Sequence, residues 1–205
     1  SATERPALAG VPQREPTPSM PEETVIAKTN TKARRAADVV AAKFPTPENQ
    51  LIADEGGRRA DVYPDSEGLP TAGIGHQLTE ERAKYFRKHP EKLTLELINQ
   101  WFKEDLAKAT AIAKKVLDDP AKINPKALNI IINMAFNMGL GRKPDPTKKD
   151  DKGKGLKSFV KMLTALNNQD YETAAAEMIP SKWHTQVKAR AERMRDIMKT
   201  LKRVK

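Results

Sequence analysis

A chain of 205 residues, 38% hydrophobic and 5% aromatic, is long enough for one domain around a modest, largely aliphatic core, or for a small domain plus a tail. Its formal net charge of +10 points to an anionic partner, whether nucleic acid, anionic membrane or cell-wall polymer. The absence of cysteine excludes disulfides, thiol nucleophiles and thiolate metal sites, and no apolar run approaches the roughly 18 residues of a transmembrane segment.

Nucleic acid is not the expected partner, because no RNA-binding sheet motif, zinc-finger spacing or heptad-coupled basic region is present. Residues 1–45 read as a Pro-rich arm. Five of the 15 prolines fall by Pro21, with no apolar period to offset the entropy of ordering. The opening SATERPALAG has no signal-peptide core, and it begins without Met, as a processed product or a fragment of a longer chain does. Within the arm, KARRAADVVAAK (residues 32–43) predicts a short helix that packs on or tethers the domain at 46–205.

Thr46-Pro47-Glu48 has helix-start chemistry: a hydroxyl N-cap, Pro at the first helical position and an early acid. The helix is expected to run to Glu55, where Gly56 and Gly57 stop it. A carboxylate in the last turn opposes the helix dipole, which favours cations there, so Glu55 calls for a function or a cationic partner. Residues 58–78, broken by Pro64, Gly68, Pro70, Gly73 and Gly75, predict a small antiparallel sheet. Thr79 starts one helix. Thr94 starts a longer one, to Leu117, with Leu97, Ile98, Trp101, Phe102 and Leu106 at 3–4 spacing. Asn124-Pro125 opens ALNIIINMAFNMG, apolar almost all round and therefore the expected buried central helix. Residues 139–158 form a polar insertion with seven Lys/Arg against three Asp, either a rim to a cleft or a disordered loop. Phe159–Leu166 and Tyr171–Met178 predict two more helices, and Ser181-Lys182-Trp183 leads into a basic C-terminal helix. Trp101 and Trp183 are expected in the core. The predicted class is α+β and mainly helical: a small antiparallel sheet lobe, then a larger helical lobe, with a cleft between them.

Glycoside hydrolysis needs two carboxyl groups flanking the bond, one to protonate the leaving oxygen and one ionised. Glu55 at a helix end and Asp65 in a turn between strands meet that need, with Asp54 and Asp61 as nearby alternatives. Two acids among 27 Asp and Glu carry little weight alone; their surroundings carry more. The chain reads Asp54-Glu55-Gly56, then Tyr63-Pro64-Asp65-Ser66-Glu67-Gly68, then Thr71-Ala72-Gly73-Ile74-Gly75-His76. This resembles the lysozymes of T-even type bacteriophages, glycoside hydrolase family 24, with their acid-Gly helix end, Tyr-x-Asp-x-x-Gly and Thr-x-Gly-Ile-Gly-His. The likeness continues through Ile132–Gly139, Phe159–Met162, Tyr171–Ala175 and Ser181–Trp183 to Arg190 and Arg193, and leaves out the 139–158 insertion.

The resemblance implies a lysozyme-like fold and a muramidase that cleaves the β-1,4 bond from N-acetylmuramic acid to N-acetylglucosamine with inversion. Glu55 is then the general acid, Asp65 orients or activates the attacking water, and Thr71 helps to hold that water. The two carboxyls are expected at the wider separation of roughly 6.5–9.5 Å. Implied substrate contacts are Gly75, Gln77, Phe136, Asn137, Met162 and Glu177, of which Gln77, Met162 and Glu177 differ in type from the family's best-known members. Arg190 is expected near the acid at the cleft mouth, and His76 is expected to pair structurally with Asp105. No metal or organic cofactor is implied. The expected partner is bacterial peptidoglycan, with phage virion or tail proteins reached through the arm. The expected location is the virion, or the host cytoplasm before release to the periplasm. The alternative is a non-catalytic peptidoglycan-binding or virion structural module on the same fold.

One departure bears on the geometry. The chain has one residue more between Glu55 and Tyr63 than the family pattern, and an odd insertion in a strand flips side chains to the other face. Gly57 is expected to absorb it as a bulge or a longer turn.

Overall fold

The Thr46 hydroxyl accepts the Asn49 N–H at 3.1 Å and Pro47 occupies the first turn, so helix α1 (Pro47–Asp54) starts where its sequence signals place it. The computed structural model describes residues 46–205; the arm and its expected helix at 32–43 lie outside the described residues. α1 ends in a paired glycine cap. The Gly56 N–H reaches Ala53 O at 3.0 Å and the Gly57 N–H reaches Ile52 O at 2.9 Å, with φ of 87° and 86° at the two glycines.

Strands β1 (Arg59–Pro64), β2 (Pro70–Gly73) and β3 (His76–Gln77) follow as an antiparallel sheet in the order β1-β2-β3. Arg59 faces Gly73 and Tyr63 faces Thr71, so four steps along β1 match two along β2. Gly57 lies in the turn that ends α1, and the ladder is irregular between Arg59 and Tyr63. An even surplus keeps the in–out alternation in step on either side of it.

Helix α2 (Glu80–Lys88) is capped by Thr79, and α3 (Leu95–Val116) has the Thr94 hydroxyl on the Leu97 N–H at 3.2 Å. Then come α4 (Pro125–Met138) capped by Asn124, α5 (Val160–Asn167), α6 (Tyr171–Ala176) capped by Asp170, α7 (Lys182–Gln186) capped by Ser181, and α8 (Lys188–Lys199). The fold is α+β, with a three-stranded sheet and a helical majority, as the sequence predicts. None of the helices among the described residues is long and apolar enough to cross a membrane.

The chain divides into two compact units after Asp105, a boundary inside α3. In the first unit α2 packs on β1 and β2. Its buried side chains include Leu51, Ile74, Phe86, Ile98 and Trp101. Trp101 stacks on His76 at 4.2 Å between ring centroids and meets Phe86 edge-on at 5.7 Å, a core use of the tryptophan. In the second unit α6 packs on α5 and α8, and α8 packs on α4. Its cluster is aliphatic and methionine-rich, with Ile131, Met134, Leu166, Met178, Met198 and Trp183 buried. Each such side chain contributes about 1.5–3 kcal/mol by burial, and truncating one to Ala costs about 2–5 kcal/mol once the cavity is included. Segment 139–158 is organised by its own hydrogen bonds rather than being an irregular loop, with Arg142 and Lys154 bridged antiparallel.

Candidate active site

Glu55 occupies the C-cap of α1, its N–H still bound to Leu51 O at 3.0 Å, and is half-buried. The chain passes it again at Gly75, in the tight turn between β2 and β3. A Cβ built on Gly75 would collide with the Glu55 carboxyl, standing 2.9 Å from its Cδ, and Gly75 holds a φ of 62°. Glycine is required there on both counts. Tyr63, from β1, is a further neighbour of Glu55. The Gly75 N–H donates to its phenol oxygen, and burial, then the Glu55 charge, push the phenol well above the ordinary tyrosine range. The Arg59 guanidinium lies 3.9 Å over the Tyr63 ring and grips Asp61 through Nε–Oδ1 at 3.0 Å and Nη2–Oδ2 at 2.8 Å. Asp61, one of the alternative acids, is thus bound in an ion pair, and the other, Asp54, accepts from Gln50 Nε2 at 3.0 Å.

Asp65 sits at the turn between β1 and β2. Its Oδ1 accepts the N–H of Glu67 at 2.8 Å and of Leu69 at 2.9 Å. Its Oδ2 has no hydrogen-bond partner among the described residues. Leu69 is the hub: its carbonyl also accepts the Asp65 N–H at 2.9 Å and the Thr71 hydroxyl at 2.9 Å. Thr71, 2% exposed, therefore spends its proton on Leu69 and keeps its oxygen lone pairs to accept. One peptide thus couples Asp65 to Thr71.

His76 contacts Asp105 through Nδ1–Oδ2 at 2.7 Å. A carboxylate only accepts, so Nδ1 carries a proton. The expected pair is present, and its stack on Trp101 fixes the ring. Gln77 is exposed in β3.

In the second unit, Arg190 on α8 is 7% exposed, which rules out a solvated helix face. Its Nε and Nη2 both reach Asn133 Oδ1, at 2.9 and 2.7 Å. Asn137 is exposed and accepts the Trp183 indole N–H at 2.9 Å, while Phe136 is half-buried against the helical core. Glu177 caps α6 and is half-buried. Met162 corrects the sequence reading. It is 0% exposed, packed within the cluster around α5, so it is a core residue and not a substrate contact. Among the described residues no group of three His, Cys, Asp or Glu is arranged to hold a metal ion.

A family model for phage lysozyme matches residues 53–198, which takes in Glu55, Asp65, Thr71 and the helices through α8. The chain belongs to the phage lysozyme family. Among curated proteins it is similar to the pre-baseplate central spike protein Gp5 of Enterobacteria phage T4, 28% identical over 187 residues, covering 78% of this chain and 30% of that protein. It is also 28% identical to the peptidoglycan hydrolase gp36 of Pseudomonas phage phiKMV, over 65% of this chain and 13% of gp36. A probable T4-type lysozyme 1 of Dictyostelium discoideum is 26% identical over 74% of this chain and 92% of its own length. The chain thus spans less than a third of the two phage relatives. Within the lysozyme family frame, sequence reasoning assigned no role to Leu69, Tyr63 or Asn133. Leu69 acts through its backbone, so its side chain gives no signal. Tyr63 was visible as a motif residue without a role, and Asn133 as one polar residue in an apolar helix.

Proposed function

We propose that the chain is a peptidoglycan hydrolase of the muramidase type, cleaving the β-1,4 bond between N-acetylmuramic acid and N-acetylglucosamine. The observation that carries this reading is the contrast between two carboxyls of the first unit. Glu55 is pressed against Gly75 and flanked by the Tyr63 phenol, whereas Asp65 holds a turn with one oxygen and offers the other. Glu55 protonates the glycosidic oxygen as the bond to the anomeric carbon breaks. A water binds with one hydrogen on Asp65 Oδ2 and the other on Thr71 Oγ1, since both are acceptors, and its oxygen lone pair is left to attack. Asp65 takes the released proton, and direct attack by water inverts the anomeric centre. His76 and Asp105 brace the strand that follows Gly75, and Arg190 braces α8 on α4. Gly75, Gln77, Phe136, Asn137 and Glu177 remain the proposed saccharide contacts.

Purified peptidoglycan tests this directly. The chain is expected to clear its turbidity, and Glu55→Gln is expected to bind it without clearing. Binding without clearing by the unaltered chain would replace the enzyme with a wall-binding module. The anomeric configuration of the first product, followed by NMR, tests inversion.

The likeness to a phage central spike protein supports delivery on a virion, with residues 1–45 as the tether. Immunodetection in purified particles tests this; a chain found only in lysates would make it a free lysis enzyme.

A further inference from the structure

The 139–158 segment is absent from the motif pattern that ties this chain to its family, and it is built rather than loose. At its neck, Arg142 and Lys154 exchange backbone hydrogen bonds at 2.9 and 3.0 Å, and the N–H groups of Leu156 and Lys157 reach the carbonyls of Gly139 and Leu140 at 2.9 Å each. At its tip, one carboxylate ties the chain together. Asp151 grips Arg142 through Nη1–Oδ2 at 2.7 Å and Nη2–Oδ1 at 3.0 Å, and accepts the N–H of Asp145 at 2.6 Å and of Gly153 at 3.2 Å. Asp150 turns the chain back with a φ of 62°. Asp145 in turn accepts the N–H and hydroxyl of Thr147, at 2.9 and 2.7 Å. The Arg142 guanidinium holds the Asp151 carboxyl well below the usual carboxylate range, and the Thr147 hydroxyl lowers that of Asp145.

Two of the segment's three acids are thus turned inward to hold its shape. Five of its seven basic side chains do the opposite. Lys143, Lys148, Lys149, Lys152 and Lys154 are exposed and form no ion pair among the described residues. Only Leu156 of the segment is fully buried, so the tongue does little for the core. It carries no aromatic side chain on which a base could stack and no Asn or Gln to read a base edge. What remains is a group of exposed ammoniums carried on a hydrogen-bonded backbone frame. Their mutual repulsion is relieved by a polyanion, and an ammonium meets phosphate as a point charge without the planar match that a guanidinium seeks.

We infer that this lysine tongue is a docking surface for a phosphate-bearing polymer of the bacterial envelope, which holds the protein on the wall it acts upon. The envelope as the source rests on the muramidase reading; the tongue's affinity for a phosphate polymer does not.

The test is binding of the full chain to soluble poly(glycerol phosphate), by fluorescence anisotropy, between about 0.05 and 0.3 M salt, where each neutralised phosphate adds roughly 0.7–0.9 to the log–log salt slope. A Lys148→Ala, Lys149→Ala, Lys152→Ala, Lys154→Ala variant is expected to lose at least about tenfold in affinity and about three units of slope, while hydrolysing soluble glycan fragments as before. Asp151→Asn separates shape from charge: it makes the chain more positive but unties the frame, so it is expected to bind more weakly. Wall stripped of phosphate polymer is expected to retain less protein than wall that carries it. Unchanged binding by the quadruple variant, binding by Asp151→Asn as tight as wild type, or equal retention on both walls overturns the proposal. Duplex DNA at matched phosphate concentration binding as tightly as poly(glycerol phosphate) overturns it in favour of nucleic acid. If the chain shows tongue-dependent binding but clears no peptidoglycan, the muramidase reading and the envelope assignment fail and the phosphate affinity stands. If it clears peptidoglycan without such binding, only the tongue proposal fails.

Discussion

Gly75 lies so close to Glu55 that a methyl group on its Cα would take the space of the carboxyl. The contact fixes how the end of α1 meets the turn between β2 and β3. Gly75→Ala must push Glu55 aside and hold Ala at a positive φ, a strain of about 1–3 kcal/mol. Peptidoglycan clearing is expected to fall by at least about tenfold, since small displacements of a catalytic group are costly. Urea melts are expected to show the lost stability. A variant that clears at the wild-type rate would show that the close approach has no catalytic use.

The turn-holding duty of Asp65 can be separated from its proposed part in the chemistry. One oxygen closes the turn by accepting two backbone N–H groups, and an amide oxygen can do the same. Asp65→Asn is therefore expected to keep the melting temperature while losing at least about a hundredfold in clearing rate, the lower end of the range for general acid–base catalysis. Asp65→Ala is expected to lose the same activity and a further 1–2 kcal/mol, roughly, for two turn hydrogen bonds. Equal stability of the two variants would remove the turn-holding role.

The His76–Asp105 contact is a bracing pair, held by a 2.7 Å bond and the Trp101 stack. Asp105→Asn is expected to cost about 1.5–3 kcal/mol in chemical denaturation, the range of a charge-assisted hydrogen bond, and to leave most of the activity. Lost clearing in a variant that is still folded would make the pair part of the chemistry.

What the sequence made legible was local. Thr46, Thr79, Thr94, Asn124 and Ser181 each precede a periodic run and each caps a helix or its first turn, because a short polar side chain satisfies an orphan N–H only from that position. His76, Asp105, Glu55 and Asp65 were found through a resemblance of motifs, not through periodicity. Less legible were contacts that join distant segments. Arg190 and Asn133 are 57 residues apart, and nothing in either neighbourhood marks the other. Met162 shows the limit of transferring positions: a substrate contact by resemblance, it is a core methionine by burial. The irregularity of the β1–β2 ladder between Arg59 and Tyr63, where Arg59 folds over the Tyr63 ring and onto Asp61, is likewise marked by no single residue.

Tyr63 gives a pH prediction with a fixed sign. Its phenol titrates above the ordinary value of about 10 in the folded chain, so the unfolded chain releases that proton first as pH rises. The stabilisation is complete below about pH 10 and is lost as pH rises from there towards the folded value. Tyr63→Phe has no proton to lose, so its stability is expected to fall less steeply above pH 10, roughly, than that of the wild type. Urea midpoints at stepped alkaline pH measure this, and parallel curves for the two proteins would contradict the assignment.

The last prediction concerns salt. Residues 182–205 carry nine Lys and Arg against two acids, and Lys182, Lys188, Lys199, Lys202 and Lys205 are exposed. With the tongue at 139–158 they give the second unit a strongly cationic surface. Exposed charges are screened over about 8 Å at physiological ionic strength, so attraction to an anionic wall weakens as salt rises. The chemistry proposed at Glu55 and Asp65 is a short-range event and is far less exposed to screening. Clearing of whole cells is therefore expected to fall several-fold between low salt and roughly 0.3 M, while hydrolysis of soluble uncharged glycan fragments changes little. The comparison of substrates decides the cause: an equal fall on both would place the salt effect at the catalytic groups, and no fall on cells would remove electrostatics from wall recognition.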